Sequence, residues 1–219
     1  MESWSKKLSI NRKQSGNLLF KERSDYKNGN ALVVRPFCYT HFMKKLIWLI
    51  GKPGSGKTTI GQLFAGGRSD TAHFSYGQLL KQVQPNPASG GYSLSDREKV
   101  NHILINESKE SDVVFVDGNP YSQLGFGFIS QVESYFDEVY TIELTLSDKI
   151  ALSRLEERGR EIVAHDGKSV KDRVVHFNEQ LKPLIDQNKT KYNIHSIDIE
   201  TLSREEVLAE VSSFLSLLP

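Results

Sequence analysis

The 219-residue sequence predicts a P-loop α/β protein, a three-layer sandwich with a five-stranded parallel sheet, helices on both faces and a short lid. Three observations carry that prediction. From Leu46 onward, short apolar runs alternate with helix-patterned stretches. The runs at 46–50 and 112–116 are apolar almost throughout, as strands buried on both faces must be. A glycine-rich turn, Gly51 to Gly56, joins the first run directly to a helix.

The elements follow in order. The first strand, 46–50, stops at Gly51, and the helix over 58–65 is closed by Gly66-Gly67. A short strand at 72–75 leads into a helix over 77–83. Pro85, Pro87 and Gly90-Gly91 then mark a loop. Ser95-Asp96-Arg97-Glu98 reads as a capping box opening a helix to about Ser108. The strand 112–116 ends at Asp117-Gly118, and 123–136 reads as helical despite Gly125 and Gly127. A strand over 139–146 is followed by Ser147 as cap of a helix through Arg158. The polar stretch 159–168 precedes a helix over 169–187. A last strand, 192–199, and a second capping box, Ser203-Arg204-Glu205-Glu206, complete the set. No internal repeat is present.

Composition excludes several classes. No run approaches the roughly 18 apolar residues that span a bilayer, so no membrane role is expected. The one cysteine, Cys38, excludes a disulfide framework and a Cys-rich zinc site, and it fits a reducing, cytoplasmic setting. A net charge of +1 gives no reason to expect nucleic acid as partner, and a monomer is expected. That charge divides unevenly: Met1 to Met43 carries +5 and the remainder −4. The basic stretch is rich in Ser and Asn, with a turn at Asn28-Gly29-Asn30. Residues 1–43 therefore read as a disordered leader, with three readings open: an organelle-targeting peptide, a basic arm, or sequence upstream of the true start at Met43.

The chemistry concentrates at Gly51-Lys52-Pro53-Gly54-Ser55-Gly56-Lys57-Thr58, a full match to G-x-x-x-x-G-K-[ST] between a buried strand and a helix. Such a loop curls its N–H groups inward around phosphate oxygens, and the helix N-terminus adds about half a positive charge. Lys57 would reach the β- and γ-phosphates of a nucleoside triphosphate, and Thr58 would offer its hydroxyl to Mg²⁺. Asp117 ends a strand at the sheet's carboxyl edge, where ligands of open parallel sheets bind, and is the second candidate for Mg²⁺. Arg154 and Arg158, four apart, share one helix face at the start of the polar stretch.

From about Lys44 to Leu218 the chain resembles the adenylate kinase family of nucleoside monophosphate kinases. Gly51-Lys52-Pro53-Gly54-Ser55-Gly56-Lys57 is the family's G-x-P-G-x-G-K form of the loop, and Thr59 extends the donor site that the resemblance implies. His73-Phe74-Ser75-Tyr76-Gly77-Gln78-Leu79-Leu80-Lys81 is similar to the S-T-G-D-x-x-R segment that holds the acceptor. Val116-Asp117-Gly118-Asn119-Pro120-Tyr121 is similar to D-G-F-P-R. Arg154, Arg158 and Arg173 fall where the family has arginines around its lid, here 159–168. The resemblance implies phosphoryl transfer from Mg-ATP, with Arg154 near the donor nucleotide and Arg158 and Arg173 on phosphates. Tyr76, Gly77, Lys81, Gly118 and Tyr121 would then line the acceptor site in a lobe over 76–111.

The departures gather on the acceptor side. Tyr76 replaces threonine, Gln78 aspartate, Lys81 one phosphate-gripping arginine and Tyr121 the other. Lysine keeps the charge without the bidentate fork, and tyrosine keeps neither. Gln123 falls two residues short of the base-reading glutamine. Tyr76, Tyr121, Phe126 and Phe128 could stack on a ring or pack in the core. The acceptor is thus either a nucleoside monophosphate in a revised pocket or another small molecule, and a nucleotide-binding module with little transfer is a third reading. The six histidines show no metal-ligand spacing.

Overall fold

A computed structural model describes residues 43–85, 92–118, 126–127, 131–157 and 169–217, all within the unit Met43–Pro219. The leader over 1–42, the lid over 159–168, and Arg158, Tyr121, Gln123 and Phe128 lie outside the described residues.

The sheet has the order β2-β3-β1-β4-β5, and every neighbouring pair is parallel. Its strands are β1 (Lys45–Gly51), β2 (Thr71–Ser75), β3 (Val113–Asp117), β4 (Glu138–Thr145) and β5 (Ile194–Asp198). β1 is central, and its alternation divides the core. Leu46, Trp48 and Ile50 enter one apolar layer, while Ile47 and Leu49 enter the other, all at 3% exposure or less. The first layer is closed by α2 (Tyr76–Val83) and α3 (Leu94–Glu107), through Leu79, Leu80, Val100 and Leu104. The second is closed by α1 (Lys57–Gly66), α4 (Asp148–Glu157) and α7 (Arg204–Ser216), through Ile60, Ala151, Val207 and Val211. The three-layer arrangement is as expected.

Three local expectations change. The capping box of α3 is Ser93 with Asp96, two residues earlier than expected: Asp96 N–H donates to Ser93 Oγ at 3.2 Å and Ser93 N–H to Asp96 Oδ2 at 2.9 Å. Starting there lets Leu94 and Ser95 join the first turn and takes Asp96, in place of Glu98, as the reciprocal carboxylate. Of the helix expected over 123–136, positions 123–125 and 128–130 lie outside the described residues; 126–127 and 131–132 are helical, and its end is a 3₁₀ turn, Glu133–Tyr135. The helix expected over 169–187 is divided into α5 (Val170–His176), a π-helical turn (Phe177–Leu181) and α6 (Lys182–Asn188). Pro183 gives the reason: it has no N–H to donate, and its ring would collide with the carbonyl four residues back in a regular helix. Ser169 caps α5, with Asp172 closing the box, a cap the sequence reading did not single out.

Phe126 is buried core, stacked on Tyr192 at 5.0 Å and edge-on to Trp48 at 6.2 Å. No helix among the described residues is long and apolar enough to cross a membrane.

Candidate active site

The strand order turns at β1. The chain moves to one side of it for β2 and β3 and to the other for β4 and β5, so a crevice opens at the carboxyl end of β1. The glycine-rich loop fills that position. Gly51 has φ +141°, and a Cβ there would sit 2.4 Å from the Leu144 carbonyl oxygen of β4. Gly54 has φ +86°, and its Cβ would sit 2.6 Å from the Ala151 carbonyl oxygen of α4. The loop is pressed between two backbones where only glycine fits. Pro53 is half-buried between them, and Ser55 is buried, its N–H bonded to Lys52 O at 3.1 Å.

α1 starts at the loop's end with Gly56 as its cap. No side chain caps it, and no acidic residue stands in its first turn. That end keeps its positive partial charge and its N–H groups for an anion. The Lys57 ammonium curls back over the loop, donating to Gly51 O at 2.8 Å, Lys52 O at 3.0 Å and Ser55 Oγ at 3.3 Å. Thr58 and Thr59 follow, half-buried.

Asp117 ends β3 beside the loop, in register with Leu49 of β1 and Ser75 of β2. Its carboxylate accepts from His73 Nε2 at 2.8 Å and Ser75 Oγ at 3.2 Å. His73 and Ser75 are two apart on β2 and so share the face that Asp117 occupies on β3. The Asp117 and His73 side chains are each only 8% exposed. Trp48 Nε1 donates to Gly118 O at 2.7 Å and holds the turn that follows. Sequence reasoning missed His73, because its signal lies in strand register and not in metal-ligand spacing.

On the other side of β1, Arg154 ends α4 and donates to Ile199 O at 3.4 Å, beyond the end of β5. Arg173 is half-buried on α5. Lys52, in the loop, donates to Leu146 O at 3.1 Å and pairs with Asp148, whose other carboxylate oxygen accepts from Asn178 Nδ2 at 2.8 Å. The Lys52 ammonium, and after it the Asn178 amide, hold the Asp148 carboxyl below the usual carboxylate range. Neither Lys52 nor Asn178 stood out from the sequence.

The acceptor-side candidates are spread. Tyr76 is buried in the first apolar layer, and its phenol donates to Asn101 Oδ1 at 3.3 Å. Burial pushes that phenol up to about 12, against the opposing pull of the Arg97 guanidinium beside it. A Cβ on Gly118 would come within 2.9 Å of Tyr76 Cβ, so the tyrosine stands directly against the turn after β3. Gly77 and Lys81 are exposed on α2.

Among the described residues no three His, Cys, Asp or Glu side chains converge as a metal cage. Thr58 and Asp117 are hard oxygen donors beside the phosphate loop. The pair suits Mg²⁺, which keeps its waters and completes its octahedron with substrate phosphates.

The chain is similar to several curated proteins. The adenylate kinase of Helicobacter hepaticus is 30% identical over 202 residues, covering 79% of this chain and 98% of that protein. The adenylate kinase of Campylobacter fetus subsp. fetus is 32% identical over 163 residues, covering 67% of this chain and 80% of that protein. The adenylate kinase of Wolinella succinogenes is 29% identical, covering 79% and 98%. No family model matches the chain.

Proposed function

Since the chain belongs to the adenylate kinase family and is a phosphotransferase of the nucleoside monophosphate kinase kind, we propose that it moves the γ-phosphoryl group of Mg-ATP to a nucleoside monophosphate. The observation that carries this reading is Lys57. Its ammonium is held by carbonyl oxygens of a loop that only glycines could shape, at the turning point of the sheet.

In this reading Gly51, Pro53, Gly54, Ser55 and Gly56 wrap the donor phosphates, and Lys57 exchanges its carbonyl partners for β- and γ-phosphate oxygens. Thr58 and Asp117 hold the Mg²⁺ side, with Thr59 beside them in the first turn of α1. Mg²⁺ supplies charge neutralisation between the β- and γ-phosphates when bound. Arg154 faces the donor nucleotide; Arg158 and Arg173 bring charge to the transferring group. An acceptor phosphate oxygen attacks the γ-phosphorus, and the bond to the β–γ bridging oxygen breaks with its electron pair leaving on ADP. Little covalent work falls to the protein, so positioning and charge carry the rate. Tyr76, Gly77, Lys81, Gly118 and Tyr121 form the acceptor side.

Transfer from Mg-ATP to a panel of nucleoside and deoxynucleoside monophosphates tests this directly. Equal formation of ADP and a nucleoside diphosphate is expected with at least one acceptor. Absence of transfer across the panel, with ATP still bound, overturns it. That outcome favours a second reading, a small non-nucleotide acceptor, which the burial of Tyr76 among core side chains supports.

A further inference from the structure

Lys57, Arg154 and Arg173 stand on three separate elements: the phosphate loop with α1, α4, and α5 with its π-turn. Phosphoryl transfer needs them in one fixed arrangement, and a misplacement of about 1 Å can cost on the order of 10²-fold in rate. α5 and the π-turn follow the stretch 159–168. α5 is seven residues long, and among the described side chains it and the π-turn bury Val174, Phe177 and Leu181. The widened turn over Phe177–Leu181 also shifts the helical ladder between α5 and α6.

One carboxylate joins all three elements. Asp148 sits at the first position of α4. One of its oxygens takes the Lys52 ammonium of the phosphate loop, and the other takes Asn178 Nδ2, inside the π-turn, at 2.8 Å. Lys52 also donates to Leu146 O at 3.1 Å, which fixes the ammonium at the end of β4. The Lys52 side chain is 12% exposed and that of Asp148 51%, so the ammonium is set into the fold while water reaches the carboxylate, and the tie rests on its geometry and not on strong charge attraction. A second tie crosses the same seam: Lys182 of α6 reaches the buried Glu143 of β4 at 3.2 Å. Lys52, Glu143, Asn178, Lys182 and Phe177 line the narrow cleft between the two ties.

We propose that Asp148 is a positioning residue for the transfer: it locks the phosphate loop, through Lys52, in register with the helix that carries Arg173, through Asn178. This rests on the phosphotransferase reading above. In this role Asp148 acts through Lys52 and Asn178 and not on the substrate, so its removal leaves donor binding in place and misaligns the arginine helix against the loop.

The experiment measures kcat and KM for ATP, with an acceptor turned over by the wild-type chain, together with a thermal melt for each variant. Asp148→Asn and Asn178→Ala are each expected to lower kcat between about 10- and 100-fold, with KM for ATP held within about twofold. Asn178→Ala keeps the Lys52 pair and so reads the same tie should Asp148→Asn fail to fold. Asp148→Asn combined with Lys52→Met should be no slower than the slower single variant, because both changes cut one connection. Asp186→Asn, which removes a solvent-exposed partner of Lys182, is the control expected to keep wild-type kcat. A lowered melting temperature with kcat within about twofold of wild type would reduce Asp148 to a stabilising contact and overturn the proposal. A raised KM with unchanged kcat would do the same. Failure of the wild-type chain to transfer to any acceptor overturns the functional reading itself, and this proposal with it.

Discussion

Gly61 lies mid-way along α1, where glycine costs a helix about 1 kcal/mol relative to alanine. Its reason for being there is across the interface. A Cβ at this position would stand 2.2 Å from His73 Cδ2, and His73 is the side chain that donates to Asp117. Gly61→Ala gains that propensity but must push His73 out of a packed site, costing about 1–3 kcal/mol for overpacking. A charge-assisted hydrogen bond worth about 1.5–3 kcal/mol is strained as well. The loss outweighs the gain, so the variant should melt lower than wild type; a higher melting temperature would refute the argument. Lys57→Ala tests the opposite kind of residue. Its partners are loop carbonyls that water can satisfy, so the fold should persist while transfer falls by about three orders of magnitude. Near-normal turnover would remove the central role of the loop. Lys57 was legible in sequence because its motif fixes spacing along the chain. His73 was not, because its partner is 44 residues away and is brought to it only by the register of β2 with β3.

Among elements, α7 shows what a helix start contributes. Ser203 Oγ accepts from Glu206 N–H at 3.2 Å, and Ser203 N–H donates to Glu206 Oε2 at 2.7 Å. The backbone N–H of Ser203, and then its side chain, hold the Glu206 carboxyl below its ordinary 4.5. A carboxylate with a depressed folded value adds stability that is full above the ordinary value and lost as pH falls through the folded one. Ser203→Ala should therefore destabilise by about 1 kcal/mol at neutral pH. The melting difference between wild type and Glu206→Ala should shrink as pH drops below 4.5. A difference that holds constant down to acid unfolding would mean the carboxylate is not the capping group. This box was readable because hydroxyl and carboxylate stand three apart; the box of α5, with the same spacing from Ser169 to Asp172, was not singled out. At α3 the same spacing exists from Ser93, but the glutamate three beyond Ser95 offered a decoy, and only the backbone geometry chose between them.

For the whole molecule, the order β2-β3-β1-β4-β5 is set by long-range strand pairing, whereas the five-stranded parallel sheet itself follows from strands too apolar to face water and crossovers too regular to leave the sheet. Those features are local in sequence, so the architecture was legible; the seam of Lys52, Asp148 and Asn178 was not, since it joins residues 30 to 96 positions apart. The same architecture predicts what the first 42 residues contribute. Among the described residues every strand and both apolar layers are supplied from Lys45 onward, and the buried core closes with Val211. The adenylate kinase of Helicobacter hepaticus, matched over 98% of its length, takes up only 79% of this chain. Removing residues 1–42 should thus leave the transfer rate within about twofold, and the melting temperature within about 2–4 °C, the shift that ~1 kcal/mol produces in a domain of this size. A core that became insoluble, or melted well below that range, would show that the basic segment supports the sheet.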